Sequence, residues 1–342
     1  MTPSLSDLPN ARAFTWRDGD RLVVFREGAL AEAMDILEGH DWGHFELLTT
    51  SRALGTAPIE LPEAAVAVHE VPPGRVAEVS EPILDEVTTP TLVALGGGRV
   101  IDVAKAIAAV RGGRVAAIPT TLSGAEMTHI HRLPAGHEAP HLVRPAVVIS
   151  DPVPMTDLDE APLRATAMNA LAHGAEALYG PGANPAATLV SLRGAAMIAE
   201  ALDQPEDGRD RVLLALGALL CAHGIDSAGL GPHHAISQEL VRVMGIPHAE
   251  TNATLLPHTM EMMRPRFPEA LEALGEALGA TPKKLPPRLK QLGGGPRWLS
   301  ELGAEPERVE AAVDAIHARV GSAPVPDPPE REEIRTLIEK AW

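Results

Sequence analysis

The segment TLVALGGGRVIDVAKAIAAVRGG (91–113) constrains the fold more than any other. Its opening run, TLVAL, is short, apolar and β-compatible, as expected of a strand covered on both faces. Gly96, Gly97 and Gly98 follow, then a stretch with helical apolar spacing that ends at Gly112–Gly113. A buried strand that turns directly into a helix is half of a βαβ unit, and such units build parallel sheets with helices on both faces. The rest of the first half agrees. RLVVF (21–25), FELLTT (45–50), AAVAVHEV (64–71), VAAIPTT (115–121) and PAVVISDP (145–152) read as strands, and GALAEAMDILEGH after the first of them reads as a helix. A doubly wound parallel α/β sheet is expected.

From about Met155 the pattern changes. AAMIAEAL, RVLLALGALLCAHGI, PHHAISQELVRVMG, ALEALGEALG, PERVEAAVDAIHARV and EREEIRTLIEKAW all carry helical periodicity. A chain of 342 residues is long for a single core. The proline-rich DPVPM (151–155) therefore marks a boundary between an α/β domain over 1–154 and an all-α domain over 155–342. PVPDPPE (324–330) reads as a stiff surface connection before the last helix.

The formal charge of −17 counts against nucleic acid or an anionic membrane surface as partner. It also makes any anionic substrate depend on local positive charge. Cys221 is the single cysteine, so no internal disulfide forms. It lies in the apolar run Val212–Ala222, which is too short to span a bilayer. The start, MTPSLSDLPN, lacks the basic patch and apolar core of a signal peptide, and a soluble cytoplasmic protein is expected.

The glycine turn has a chemical reading. Glycines let backbone N–H groups approach a pyrophosphate, and the following helix N-terminus favours negative charge. The spacing is not GxGxxG, so a plain strand-to-helix turn fits the glycines equally well. A second polar turn, PTTLSGAE (119–126), follows the next strand, and its Thr120, Thr121 and Ser123 can donate to phosphate, ribose or nicotinamide. Two such turns at the carboxyl ends of neighbouring strands suit a ligand crevice. An acid after the second strand would select NAD; this chain has Thr50, Ser51 and Arg52 there, so both nucleotides are expected to bind, NADPH included.

Imidazoles supply the second candidate site. Asn169 and His173 are four residues apart in MNALAHGAEALYG and share a helix face. His234 and His248 bracket HAISQELVRVMGIPH. Three imidazoles from separate elements can build a metal or an acid/base site. Most of the fourteen histidines must be incidental, and His69 and His137 read as structural and surface residues respectively.

LGGGRVIDVAKAIA, IPTTLSGAEMT, VVISDP, MNALAHGAEALYG and GLGPHHAISQELVRVMGIPHAETNATLLPH occur in an order that resembles the iron-containing alcohol dehydrogenase superfamily, and within it the maleylacetate reductases. The likeness spans nearly the whole chain. It implies a dehydroquinate-synthase-like fold, NAD(P)H as cofactor, a homodimer, and an active site in a cleft between the domains. It implies that Gly96, Gly97, Gly98, Arg99 and Asp102, with Thr50, Thr120, Thr121 and Ser123, serve the cofactor. It places Asn169, His173, His234 and His248 at the catalytic positions where relatives hold Fe or Zn with one Asp and three His. Asn169 departs from that Asp, and an amide is a weaker ligand for a divalent ion, so metal at His173, His234 and His248 is less expected than in the alcohol dehydrogenases. Arg99 replaces a serine, and Gln238 replaces a histidine one turn after His234. The implied reaction is reduction of an unsaturated keto dicarboxylic acid such as maleylacetate to 3-oxoadipate. Arg132, Gln238, Arg242 and His258 are candidates for substrate contact, and His234 for the proton donor. The alternatives are a metal-dependent alcohol or aldehyde dehydrogenase, a lyase of the dehydroquinate synthase type, which the scarcity of Lys near the motifs disfavours, and a diverged homologue with changed chemistry.

Overall fold

The computed structural model describes residues 12–295, 297–322 and 327–342. The start MTPSLSDLPN and part of the PVPDPPE connection lie outside them. The chain forms two compact units, Met1–Asp157 with Arg211–Leu216, and Leu158–Asp210 with Gly217–Trp342.

The first unit carries a seven-stranded sheet. Its strands are β1 (Phe14–Asp18), β2 (Arg21–Phe25), β3 (Glu46–Thr49), β4 (Val68–Glu70), β5 (Thr91–Gly96), β6 (Arg114–Pro119) and β7 (Val147–Ser150). Their spatial order is β1-β2-β7-β6-β5-β3-β4, and every pairing is parallel except the β1–β2 hairpin. Along β5, Val93 and Leu95 enter one apolar cluster while Leu92 and Ala94 enter another. Both faces of the strand are thus buried, which is why TLVAL shows no polar alternation. Helix Gly98–Arg111 lays Val100, Ile101, Ala104 and Ile107 into the second cluster, and helix Ala33–Glu38 sends Ala33 and Leu37 into the first. Each fully buried Val, Leu or Ile side chain among these contributes about 1.5–3 kcal/mol.

The winding reverses between β3 and β5. From β3 the chain moves outward to β4, then returns across β3 to β5 and continues through β6 to β7. Ligands of open α/β sheets bind outside the carboxyl ends of the strands at such a reversal. Here those ends are Thr49–Thr50 and Gly96–Gly98.

Strand β1 escapes the sequence reading because FTWRD is half-buried and polar at alternate positions. Its signal is the loop Gly19–Asp20, where Gly19 takes a positive φ of 61° at the first position of a two-residue hairpin loop.

The second unit contains no strand among the described residues. Its longer helices are Glu160–Glu176, Pro185–Asp203, Pro232–Met244, His248–Met263, Pro268–Ala277, Val309–Gly321 and Arg331–Lys340. A further helix, Arg211–Ala228, is longer than the Val212–Ala222 run suggested and meets the length and composition of a membrane span, but 72% of that window is buried inside the protein. It is a core helix. Cys221 sits on it where small residues let helices approach: a Cβ on Gly174 or Gly194 would lie 2.7 or 2.8 Å from its sulfur. Burial pushes the Cys221 thiol up to about 12, so it is an inert packing group.

Candidate active site

The two glycine-bearing turns of the first unit fit into one another. A Cβ on Gly97 would stand 3.1 Å from Thr121 Cγ2, and one on Gly98 would stand 2.9 Å from Ser123 Cβ. The glycines are therefore required for packing as well as for any ligand. Gly97 has φ −76°, so its need is steric, not conformational. Thr120 N donates to Gly96 O at 3.0 Å and ties the turns together. No side chain caps the helix that starts at Gly98, leaving its first N–H groups for a guest. Arg99 is exposed beside them, Thr120 is buried, and Thr121 and Ser123 are half-buried.

Asp102, assigned to the cofactor by its motif, is held in an ion pair. It lies 2.8 Å from Lys105 Nζ, and that ammonium also donates to the carbonyls of Ala125, Thr128 and Ile130 at 2.9–3.1 Å. Lys105 is fully buried and pins the second turn to the helix of the first. The i,i+3 spacing in DVAK was the available signal.

A cavity of about 480 Å³ opens at the same end of the sheet. Gly28, Leu30, Arg52, Thr56, Thr120 and Asp151 are among its lining residues. Asp151 shapes it by accepting from Leu30 N at 3.1 Å and from Val153 N at 3.0 Å. Thr50 accepts from Ala53 N at 3.3 Å and so caps the short helix Ser51–Leu54. Arg52 donates to Asp157 O at 2.8 Å.

The second unit gathers the imidazoles. Helix Glu160–Glu176 presents Asn169, His173 and Glu176, all buried. Helix Pro232–Met244 starts with His233 and His234 in its first turn, also buried. The rings of His173 and His234 stack with centroids 4.6 Å apart and planes 7° apart, and His233 meets His234 edge-on at 5.2 Å. His248 opens helix His248–Met263. Buried Asn252, one turn on, donates to Asn169 Oδ1 at 3.0 Å and stands 3.1 Å from His248 Nε2, so it links those two residues.

Glu176 organises this group, and the sequence reading missed it. Its carboxylate accepts from His233 N at 2.6 Å and His234 N at 3.4 Å, capping a helix whose own cap residue, Gly231, has no side chain. Gly231 leaves room for this, since a Cβ there would come within 2.7 Å of Glu176 Oε1. The other carboxylate contact is to His234 Nδ1 at 2.6 Å. Burial alone would raise the Glu176 carboxyl, but His234, His233 and backbone donors outweigh it and hold it below the usual range. A carboxylate only accepts, so His234 carries a hydrogen on Nδ1, which leaves Nε2 for another partner. That Nε2 is buried with no protein partner, as is Nδ1 of His173. Burial, with the neighbouring histidines, keeps His173 well below its ordinary value and brings His233 to about 3. Unpaired buried ring nitrogens in one cluster mark a place for a polar guest.

As they lie here, the rings of His173, His234 and His248 are not arranged around one point. Among the described residues no three His, Cys, Asp or Glu side chains assemble to hold a metal. Stacked rings direct their in-plane lone pairs along nearly parallel planes that do not meet at one ion. The amide oxygen of Asn169 is already engaged by Asn252.

The four candidates for substrate contact lie apart in character. Gln238 is half-buried one turn after His234, on the same helix face. Arg242 is exposed and paired with Glu239 at 2.6 Å. His258 is buried, and burial followed by Lys290 lowers it to about 4, so it is neutral near pH 7. Arg132 is exposed.

Comparison with known proteins bears on these features directly. Residues 164–342 match the C-terminal model of the Fe-containing alcohol dehydrogenase family, and residues 24–128 match an iron-containing alcohol dehydrogenase model. The maleylacetate reductase of Burkholderia cepacia is 34% identical over 264 residues, covering 73% of each chain. Maleylacetate reductase 1 of Cupriavidus pinatubonensis is 30% identical over 281 residues, covering 79% of this chain and 78% of that one. The crystal structure of maleylacetate reductase from Agrobacterium tumefaciens superposes with a TM-score of 0.82 at 27% identity, over 96% of this chain and 98% of that one. An α/β sheet unit joined in one chain to an all-helical unit is thus the architecture of known oxidoreductases, and this chain belongs to the iron-containing alcohol dehydrogenase family.

Proposed function

We propose that this protein is a cytoplasmic, homodimeric NAD(P)H-dependent reductase of an unsaturated keto dicarboxylic acid such as maleylacetate, forming 3-oxoadipate. The observation that carries this reading is the Glu176–His234 pair, with an unpaired Nε2 beside a second buried imidazole. It is the geometry of an oriented acid/base imidazole, and the similarity to maleylacetate reductases supports the choice of substrate class.

The glycine turn suits a nucleotide because the helix behind it has no side-chain cap, and because Gly97 and Gly98 let the polar Thr121 and Ser123 of the second turn stand close beside it. Bound NAD(P)H supplies a hydride. Backbone N–H groups at Gly98 and Arg99 hold its phosphates, and Thr120, Thr121 and Ser123 orient its sugar and amide groups. His234 would give a proton from Nε2 as the imidazolium, keeping the hydrogen on Nδ1 that faces Glu176, as negative charge develops on the reduced enone, and Glu176 steadies the ring. His173 stays neutral and packs against His234 to fix its plane. Asn169 and His248, joined through Asn252, close the group. The ion pair of Arg242 and the neutrality of His258 count against both as partners of a substrate carboxylate, leaving Arg132 and Gln238 for that role.

Oxidation of NADH or NADPH with maleylacetate, small keto acids and aldehydes tests the reading. His234→Ala is expected to lose about 10²–10⁴ of the turnover number while retaining nucleotide binding. An undiminished rate in that variant rejects the assignment. The second reading, a metal-dependent alcohol dehydrogenase, draws on the family description, which names iron. It requires that chelation abolish the rate; the present reading requires that it not.

A further inference from the structure

The end of β3 lacks the acid that ordinarily grips an adenosine ribose, but the neighbouring strand delivers one. Ser51 Oγ donates to the carboxylate of Glu70, the last residue of β4. The parallel register sets Thr49 opposite Glu70, so the β4 carboxylate stands beside the first residue after the β3 tip. Thr50 is spent as a helix cap. Arg52, which on sequence grounds favours a 2′-phosphate, turns instead to the Asp157 carbonyl. The polar surface next to the β3/β5 reversal thus includes a serine hydroxyl with a carboxylate behind it, and the guanidinium of Arg52 is directed elsewhere.

We propose that Glu70 is the residue that selects between the two nicotinamide nucleotides, making the protein specific for NADH. This rests on the reading of the glycine turn as a nucleotide site. With phosphates at Gly97–Gly98, the adenosine ribose falls at the β3 tip, where the residue that reads the 2′ position of a dinucleotide is found. A ribose 2′-hydroxyl can donate to Glu70 or exchange hydrogen bonds with Ser51. A 2′-phosphate there meets a fixed negative charge on a chain of net charge −17. Two such charges about 5 Å apart at a partly solvated site disfavour binding by about ten- to a hundredfold.

The test is titration of the intact protein with NADH and with NADPH, followed by quenching of protein tryptophan fluorescence, for the natural chain, Glu70→Gln and Glu70→Lys. Expected is NADH binding about tenfold or more tighter than NADPH in the natural chain, near-equal binding in Glu70→Gln, and an inverted order in Glu70→Lys. Because each variant is read as a ratio of two nucleotides, a general loss of folded protein does not mimic the result. Equal affinities in the natural chain, preference for NADPH, or an unmoved ratio in both variants overturns the role of Glu70 while leaving the nucleotide site standing. Binding of neither nucleotide overturns the site itself, and Glu70 with it.

Discussion

Two buried carboxyls show how one residue type is driven in opposite directions by its surroundings. Glu176 is ionised because two N–H groups and an imidazole point at it. Replacing it by Gln keeps an oxygen for the helix N–H groups but sets an amide N–H against His234 Nδ1, which forces the other tautomer. Glu176→Gln is expected to fold, to bind NADH normally, and to lose about ten- to a hundredfold in turnover, measured in the same reductase assay. Glu126, in the second turn, is buried without such support. Burial raises it to about 7, against the opposing pull of its backbone hydrogen bond, Lys105 and Arg21, and with a small push from Asp102. Its folded value lies above the ordinary 4.5, so the stability it confers is complete below about pH 4.5 and is lost as pH rises through about 7. The loss amounts to about 3 kcal/mol at most. Glu126→Gln holds a neutral group at all pH values. Its unfolding midpoint in urea should match the natural protein at pH 5 and exceed it at pH 8; equal midpoints at pH 8 would refute the shift.

The paired turns were the most legible elements, because the strand, the glycines and the helix stop are all written locally in TLVALGGGRVIDVAKAIAAVRGG. Asn169 and His173 were legible for the same reason, being one helical turn apart. Glu176 was not, although it follows His173 by three residues: its importance arises from capping a helix that begins more than fifty residues later, at Pro232. The stacking of the His173 and His234 rings was also illegible, because no spacing reveals ring orientation. What the glycines do also became clear only when the turns met. A Cβ at Gly97 would stand 3.1 Å from the Thr121 methyl, closer than van der Waals contact, so Gly97→Ala should push the turns apart and weaken NADH binding by about tenfold, a cost typical of slight overpacking. Thr121→Ser deletes that methyl and keeps the hydroxyl. The double variant should therefore recover most of the affinity in a fluorescence titration. No recovery would mean that the alanine acts on the nucleotide directly rather than through the neighbouring turn.

Charge acts over the whole chain, and it opposes the proposed substrate. Acidic residues outnumber basic ones by 46 to 29, and a keto dicarboxylate carries two negative charges of its own. Repulsion from such a field slows encounter, and added salt screens it, the Debye length falling from about 30 Å at 0.01 M to about 8 Å at 0.15 M. Local cations near the site reverse this effect only over a few ångströms, inside the screening length at either salt concentration. The rate constant kcat/KM for maleylacetate, measured with saturating NADH, should therefore rise about two- to fivefold across that range. A neutral aldehyde or ketone turned over by the same enzyme feels no such field and should show a flat profile. A fall in kcat/KM with salt for the dianion alone would reveal that a positive funnel near the site outweighs the global charge, and would direct attention to Arg132 and Arg99, both exposed in the first unit. The natural protein and an Arg132→Ala variant would then separate in slope, with the variant losing the salt-sensitive part of its rate.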